Sequence, residues 1–330
     1  MSGNRPTLIG ILGAAAIAPR SLLAPAAWVE TPCAFAVAAR DRPRAERFAA
    51  EHGIHRVFDD YDALLASADV DAVYLPLPNA LHRPWAIRAM EAGKPVLVEK
   101  PLCLGCEELD ALAAVSDARG VPLVEAAMVR HHPWQQRLRG LLEDGRLGRL
   151  RAVKTRLCMD IRDAATEEFR WSAALGGGAW LDLGPYWIQF MQACVGLDLH
   201  DLEVRAEVDA QRGVDTTCAV RARCAADVDV DCLCSFTQPF AASHQLELER
   251  GRLGVRNIFR PAFGQQVLWI DVEDDAAGTK EKVKLPAQNY YANQLAGFIA
   301  VVRGEAAAEP LAAVRERVAV LETVHQAFSG

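Results

Sequence analysis

Glu99-Lys100-Pro101 is the stretch of this 330-residue chain best suited to moving a proton. It ends an apolar run at 95–99 that reads as a buried strand. In an open parallel sheet, ligands bind beyond the carboxyl ends of the strands. A lysine placed there is partly desolvated, and burial lowers an ammonium's pKa toward the range useful for proton transfer. Glu99 is placed to orient that lysine or to fix a ribose hydroxyl, and Pro101 stiffens the exit. Taken alone, the tripeptide reads as a surface lysine in a turn, so its meaning depends on what accompanies it.

A second signal lies near the start. The apolar run 7–12 enters Gly13-Ala14-Ala15-Ala16-Ile17-Ala18, a G-x-G-x-x-G/A pattern with Ala15 at the middle glycine. In such a turn the helix N-terminus offers N–H donors and a positive dipole end to a dinucleotide pyrophosphate. Gly13, Ala15, Ala16 and Ile17 are therefore the expected phosphate-contacting residues. Ala15 adds only a methyl, which a slightly displaced cofactor tolerates. The second strand, at 33–39, runs into Arg40-Asp41. An acidic residue at this strand end would serve the ribose hydroxyls of NAD, whereas an arginine suits a 2′-phosphate. NADP(H) is thus expected ahead of NAD(H), with Asp41 as the rival ribose acceptor. The same apolar start resembles a secretory leader, but Gly10, Gly13, Pro19 and Arg20 fit a strand entering a tight turn better.

The net charge of −7, with basic residues spread along the chain, argues against nucleic-acid or anionic-membrane partners. No run reaches the ~18 apolar residues of a membrane span. There are nine cysteines. Cys218, Cys224, Cys232 and Cys234 sit among apolar residues and read as core thiols of a reducing, cytoplasmic compartment. Cys103-Leu104-Gly105-Cys106 has redox or zinc spacing. A zinc site needs four converging ligands and no second pair stands at the right distance, so no metal is expected. His131 and His132 are adjacent, point in different directions on a helix, and read as structural.

These residues need elements to hold them. Up to residue 125, strands at 7–12, 33–39, 71–75, 95–99 and 122–125 alternate with helices at 16–28, 42–52, 81–92 and 107–119. Continuous apolar strands of this kind predict a parallel sheet covered on both faces, a Rossmann dinucleotide-binding domain over 1–125. The pattern then changes. A helix at 132–144 precedes strand-like stretches at 150–159, 202–208, 216–224, 228–237, 243–249, 252–257, 266–273 and 279–285. A helix at 178–195 interrupts them, and helices at 289–303 and 310–328 close the chain. Alternation such as Val228, Val230, Cys232 and Cys234 predicts a large, mostly antiparallel sheet with one open face, in an α+β domain over 126–330. That domain would bind substrate and mediate assembly. Its open face should be covered by another copy, giving a homodimer or homotetramer.

Five groups of residues then fall in a telling order: Gly10 to Gly13 with Ala18; Pro76-Leu77-Pro78-Asn79 with His82; Glu99-Lys100-Pro101; His131-His132-Pro133; and Gly176-Gly177-Gly178 through Asp182 to Gly184-Pro185-Tyr186. Together, and over nearly the whole chain, they resemble the glucose–fructose oxidoreductase / inositol dehydrogenase / rhizopine-catabolism (Gfo/Idh/MocA) family. The resemblance is nearest to the branch with trans-dihydrodiol dehydrogenases, xylose dehydrogenases and sugar 3-ketoreductases. It implies hydride transfer between nicotinamide and a carbonyl or hydroxyl carbon of a sugar or cyclic diol. It makes Lys100 the catalytic lysine and puts the family's aspartate at Asp182, with Tyr186 where many members carry histidine. Positions i and i+4 share a helix face, so both can serve one cleft. A phenol beside a lysine is a reasonable proton donor, because the ammonium favours the phenolate that results. The same resemblance makes Leu75, Pro76, Asn79, His82, Glu99, Arg130 and Trp171 cofactor positions, and Trp180, Asp182 and Tyr186 substrate positions. Bulk at Trp180 and Pro185-Tyr186-Trp187, and the runs Cys158-Met159-Asp160 and Glu167-Glu168, depart from the branch and leave the substrate open. A non-catalytic NADP sensor, an imine reductase or a redox-neutral glycoside-opening enzyme would share this scaffold.

Overall fold

The computed structural model describes residues 5–31, 33–163, 168–224 and 227–329; Glu167, one of the departures noted above, lies outside them. The chain divides into two compact units, Met1–Met128 with Tyr290–Val318, and Val129–Asn289 with Ala319–Gly330.

The first unit opens with β1 (Thr7–Leu12), β2 (Cys33–Ala38), α1 (Arg42–His52), β3 (Arg56–Val57), α2 (Tyr61–Ala66), β4 (Ala72–Leu75), α3 (His82–Glu91), β5 (Val96–Glu99), α4 (Cys106–Arg119) and β6 (Leu123–Ala126). Its strands pair in parallel in the order β3-β2-β1-β4-β5-β6. Strand order reverses beside β1, the kind of switch point at which doubly wound sheets bind ligands. The expected helix over 16–28 is instead two short turns, Pro19–Leu23 and Pro25–Trp28. Pro19 and Pro25 each start a new turn, because proline lacks the N–H that would continue a helix through it. α2 escaped the sequence reading, although Asp60 caps it, accepting from Ala63 N at 2.7 Å.

The second unit contains α5 (Trp134–Glu143), β7 (Leu150–Cys158), α6 (Ala179–Cys194), β8 (Leu199–Asp209), β9 (Val214–Cys224), β10 (Val228–Ser235), β11 (Ala241–Leu248), β12 (Gly251–Arg256), β13 (Trp269–Asp274) and β14 (Thr279–Lys284). Among the described residues these strands form one sheet in the order β14-β13-β12-β11-β7-β10-β9-β8. All neighbours are antiparallel except β7 and β10. One face packs beneath α6, whose Trp187, Ile188, Phe190 and Met191 are buried. Cys158, Cys218, Cys224, Cys232 and Cys234 are buried thiols.

The other face is charged, and its sign alternates strand by strand. Lys280 and Lys282 of β14 meet Glu273 and Asp271 of β13, which meet Arg252 and Arg256 of β12. Arg252 stands opposite Glu247 of β11, which Lys154 of β7 reaches at 2.8 Å. Arg156 of β7 pairs with Asp231 of β10, and Arg221 and Arg223 of β9 pair with Asp231 and Asp229. Glu203 of β8 stands opposite Arg221.

The two closing helices, α7 (Tyr290–Val302) and α8 (Leu311–Ser329), correct the expected continuous second domain. Leu295, Phe298 and Ile299 of α7 join the core on one face of the parallel sheet, with Ile9, Ile11, Tyr74 and Leu97. Val314 and Val318 of α8 join the core on the opposite face, with Val73, Val96 and Leu112. Apolar surface on both faces of a parallel sheet must be covered, and the chain returns to do it.

His82, His132 and His244 are buried. Burial pushes His244 down to about 3 and His82 and His132 to about 4. His244 is stacked on Phe190 at 3.8 Å, and its Nδ1 meets Thr155 Oγ1 at 2.9 Å. The unfolded chain, whose histidines titrate near 6.5, takes up protons first as pH falls. Stability from these rings is therefore complete above about 6.5 and is lost as pH falls through about 4. Asp215 has the opposite sign: burial raises it from 3.8 to about 6, so its contribution is lost as pH rises through that value. The melting temperature should fall between pH 7 and pH 4, and His244→Phe should flatten the fall. Thermal denaturation across that range reads this directly, and an unchanged slope in the variant would remove His244 from the account.

Candidate active site

β1 ends at Leu12, and Gly13 turns the chain with φ +109° and its N–H donated to Ala38 O at 2.8 Å. The positive φ favours glycine here, and a Cβ on Gly13 would come within 2.9 Å of Leu77 Cδ2, which would have to shift. The backbone passes Ala14, Ala15, Ala16 and Ile17, and the Ile17 carbonyl accepts from Ser21 N. Arg40 is exposed just beyond β2. A second arginine, missed in the sequence reading, converges here: Arg44 donates through Nη2 to Ala14 O at 3.0 Å. Burial raises the Tyr61 phenol, and Arg40 and Arg44 both act against that rise, so both guanidiniums lie near it. Asp41 is the N-cap of α1, though its side chain makes no capping bond. A positive-φ glycine, open backbone at a strand end and two convergent guanidiniums fit a dinucleotide with a 2′-phosphate.

At the end of β4, Leu75 is fully buried, Pro76 and Asn79 are buried behind it, and His82 opens α3. His82 was expected to touch cofactor. It is instead 0% exposed, with Nδ1 2.8 Å from Pro101 O and Nε2 2.8 Å from Leu77 O. It ties the loop after β4 to the loop after β5. Both oxygens only accept, so a ring held neutral by burial donates to one of them.

Lys100 follows β5 directly, and the Lys100–Pro101 peptide is cis. Before it, Glu99 accepts from the Tyr74 hydroxyl at 2.5 Å. After it, Leu102 N donates to Glu125 Oε1 at 3.1 Å. Glu125 is itself buried and accepts from Arg317 of α8 at 2.8 Å, and Arg317 also holds Glu309 through both terminal nitrogens. None of these partners carried a local sequence signal. The Cys103 thiol is buried, donates to Gly105 O, and is pushed up chiefly by that burial.

In the second unit, α6 carries Asp182 in its first turn and Tyr186 one turn later. Asp182 is buried, and its Oδ2 accepts from Arg170 Nε at 2.8 Å. Arg170 also pairs with Glu168. Gly177 permits this approach, since a Cβ there would lie 2.5 Å from the Arg170 carbonyl oxygen. Gly178 has φ +115°, and a Cβ on it would collide with the Asp215 carboxylate. Asp215, on β9, accepts from Trp180 N at 2.7 Å and so caps α6 from another element. Tyr186 is half-buried and meets Phe259 edge-on at 4.8 Å.

Two expected ligand contacts are core residues. Trp180 is 0% exposed, and its Nε1 donates to Leu321 O at 2.9 Å. Its ring packs where Gly184 has no side chain, so it offers no surface to a substrate. Trp171 is 6% exposed, lies against Phe236, and has the Arg212 guanidinium over its ring. Arg130 lies in the turn Met128–His131 and is half-buried.

Residues 7–126 match the profile of an oxidoreductase family with an NAD-binding Rossmann fold, GFO_IDH_MocA, and residues 135–253 match the GFO/IDH/MocA C-terminal domain. The dTDP-3,4-didehydro-2,6-dideoxy-alpha-D-glucose 3-reductase of Actinomadura kijaniata is 35% identical over 305 residues, 91% of this chain and 89% of that one. The trans-1,2-dihydrobenzene-1,2-diol dehydrogenase of Oryctolagus cuniculus is 30% identical, covering 72% of this chain and 70% of its own. KijD10, a 3-ketoreductase from Actinomadura kijaniata solved with NADP and TDP-benzene, is similar at a TM-score of 0.90 and 29% identity, over 98% of both chains. With both domains matched in order and relatives aligned along most of its length, the chain belongs to the Gfo/Idh/MocA family of NAD(P)-dependent oxidoreductases.

Proposed function

We propose that the protein reduces a ring ketone of a sugar with NADPH, and that Lys100 and Tyr186 handle the proton. The observation that carries this is the near full-length likeness to a 3-ketoreductase solved with NADP, in a chain that keeps a lysine at the end of β5. When bound, the cofactor supplies the hydride. The protein's own part begins with binding: Gly13 to Ile17 offer backbone N–H groups to the pyrophosphate, and Arg40 with Arg44 takes the 2′-phosphate. Lys100 holds a positive charge toward the carbonyl oxygen as negative charge develops on it. Tyr186 releases its phenolic proton to that oxygen, completing the alcohol, and the reverse oxidation uses the same groups. Asp182, fixed by Arg170, positions the substrate. KijD10 variants with its tyrosine changed to phenylalanine, or its lysine to alanine or glutamate, have been solved with NADP and TDP-benzene.

The substrate we favour carries its sugar on a nucleoside diphosphate. Tyr186 packs against Phe259, and the next residues include the exposed Arg260 and the 66% exposed Phe263. A guanidinium and an aromatic face suit a phosphate and a base.

We also propose that a second copy covers the open sheet. Eight strands of alternating sign read in opposite order from the two edges. A two-fold axis along the strands, between β11 and β7, sets every acidic strand over a basic one.

Lys100→Ala should lower kcat at least about a hundredfold, and Tyr186→Phe by a similar factor, with NADPH affinity retained. NADPH oxidation on free and nucleotide-linked keto sugars measures this. Wild-type turnover in Lys100→Ala would refute the assignment, and NADPH binding without turnover on any carbonyl would point to a sensor. Arg40→Ala combined with Arg44→Ala should raise KM for NADPH about tenfold or more while leaving NADH little changed, since one charge-assisted contact is worth roughly that much. Equal losses with both cofactors would dismiss the 2′-phosphate role. The dimer should weaken as salt rises from 0.05 to about 1 M, where the Debye length shrinks to ~3 Å. Sedimentation showing a salt-insensitive oligomer, or a monomer throughout, would count against an electrostatic sheet interface.

A further inference from the structure

Tyr74 lies in the middle of β4, fully buried on the face of the sheet covered by α7. Its phenol has two partners. It donates to Glu99 Oε1 at 2.5 Å, and Ser21 Oγ lies 2.7 Å from its oxygen. A phenol has one proton, and here it is given to the carboxylate. Ser21 must then be the donor to Tyr74. Ser21 sits in the turn Pro19–Leu23, whose backbone is tied by Ser21 N to Ile17 O at 2.9 Å. Ile17 ends the phosphate loop. A directed chain therefore runs from the segment behind the phosphate loop, through Ser21 and Tyr74, to the carboxylate that precedes Lys100.

The direction matters. Burial, then Glu99, pushes the Tyr74 phenol well above its ordinary range, so the group remains a donor at every working pH. A hydrogen bond given to a carboxylate favours the ionised form. The charged and titratable groups around the phenol are Glu99 at the end of β5 and Tyr291 of α7, with Lys100 next along the chain. Nothing in sequence spacing marks Tyr74: it stands 25 residues from Glu99 and reads as one more apolar strand residue.

We propose that Tyr74 is a positioning residue for the reaction, holding Glu99 ionised and fixed so that Lys100 is presented in one orientation. This rests on the reading of Lys100 as catalytic and extends it to the group behind the site. Ser21 makes the arrangement sensitive to the segment that follows the phosphate loop, because both ends share the phenol.

The test is Tyr74→Phe, which keeps the ring and removes only the hydroxyl, beside Glu99→Gln, the double variant and Lys100→Ala. Tyr74→Phe should lower kcat roughly tenfold, the scale of one hydrogen bond to a charged group. Its KM for NADPH should stay within about a factor of three. The acid limb of its pH–rate profile should move up by about one unit, because Glu99 then protonates more readily. The double variant should lose little more than Glu99→Gln alone, since both act through one contact. A merely structural tyrosine would lower the melting temperature and leave the limb where it was. Wild-type kcat and an unmoved limb in Tyr74→Phe, with Lys100→Ala inactive, would overturn the proposal alone. Additive losses in the double variant would also overturn it. Full turnover in Lys100→Ala would instead overturn the reading of Lys100.

Discussion

The residues that follow a parallel strand out of its sheet lose their ladder partners while still buried, and buried backbone groups must be paired. Most of what surrounds Lys100 follows from that constraint. β5 ends at Glu99, and Pro101 and Leu102 are buried immediately beyond it. Side chains from two other elements supply missing backbone partners, and a third holds the side chain of Glu99. His82 of α3 reaches the Pro101 carbonyl, Glu125 of β6 takes the Leu102 N–H, and Tyr74 of β4 takes up the Glu99 side chain. Each comes from an element next to β5 in the sheet or packed on it. A lysine in that setting has little backbone freedom on either side.

Glu125 brings a difficulty of its own. A buried carboxylate is tolerated only when paired, and a pair is worth its desolvation only when the remaining hydrogen-bonding positions are filled. Arg317 answers for Glu125 and also binds Glu309 in a two-pronged contact. Burial works to lower the Arg317 pKa and the two carboxylates more than reverse it, so the guanidinium stays charged. The triad explains why the part of the last helix up to Val318 belongs to the first unit. Apolar coverage by Val314 and Val318 brings α8 onto the sheet, and the ion triad fixes its position along it.

How much of this could be read beforehand depends on the range of the interaction. Strands and helices follow local periodicity, so their order was legible, and their ends shifted by a few residues. The phosphate loop was legible because strand, glycine and helix are adjacent. Pro19 and Pro25 should have broken the helix expected over 16–28, since the rule that each starts a helical segment is local too. Arg44 was missed because its target is the Ala14 carbonyl, 30 residues away. Glu125 and Arg317 lie 192 residues apart, and no spacing rule reaches that far. The family resemblance places Trp180 with the substrate through its position in the ordered motif. On a helix, however, it falls on the core side, where Gly184 makes room for its ring.

The glycine run at 176–178 shows how the second half of the proposed chemistry is held. Gly177 lets the Phe169–Trp171 turn lie close, which brings Arg170 to Asp182. Gly178 lets Asp215 approach the first turn of α6. Two acids thus stand at one helix N-terminus, where the dipole favours negative charge. Their surroundings divide their roles. Asp182 has a guanidinium partner at 2.8 Å. Asp215 accepts from backbone N–H donors, and burial lifts it to about 6. Asp215 therefore works as a cap, and Asp182 as a fixed acceptor one turn before Tyr186. A side chain on Gly177 would push away the turn that carries Arg170 to Asp182, and one on Gly178 would displace the Asp215 carboxylate, so each glycine keeps one acid in place.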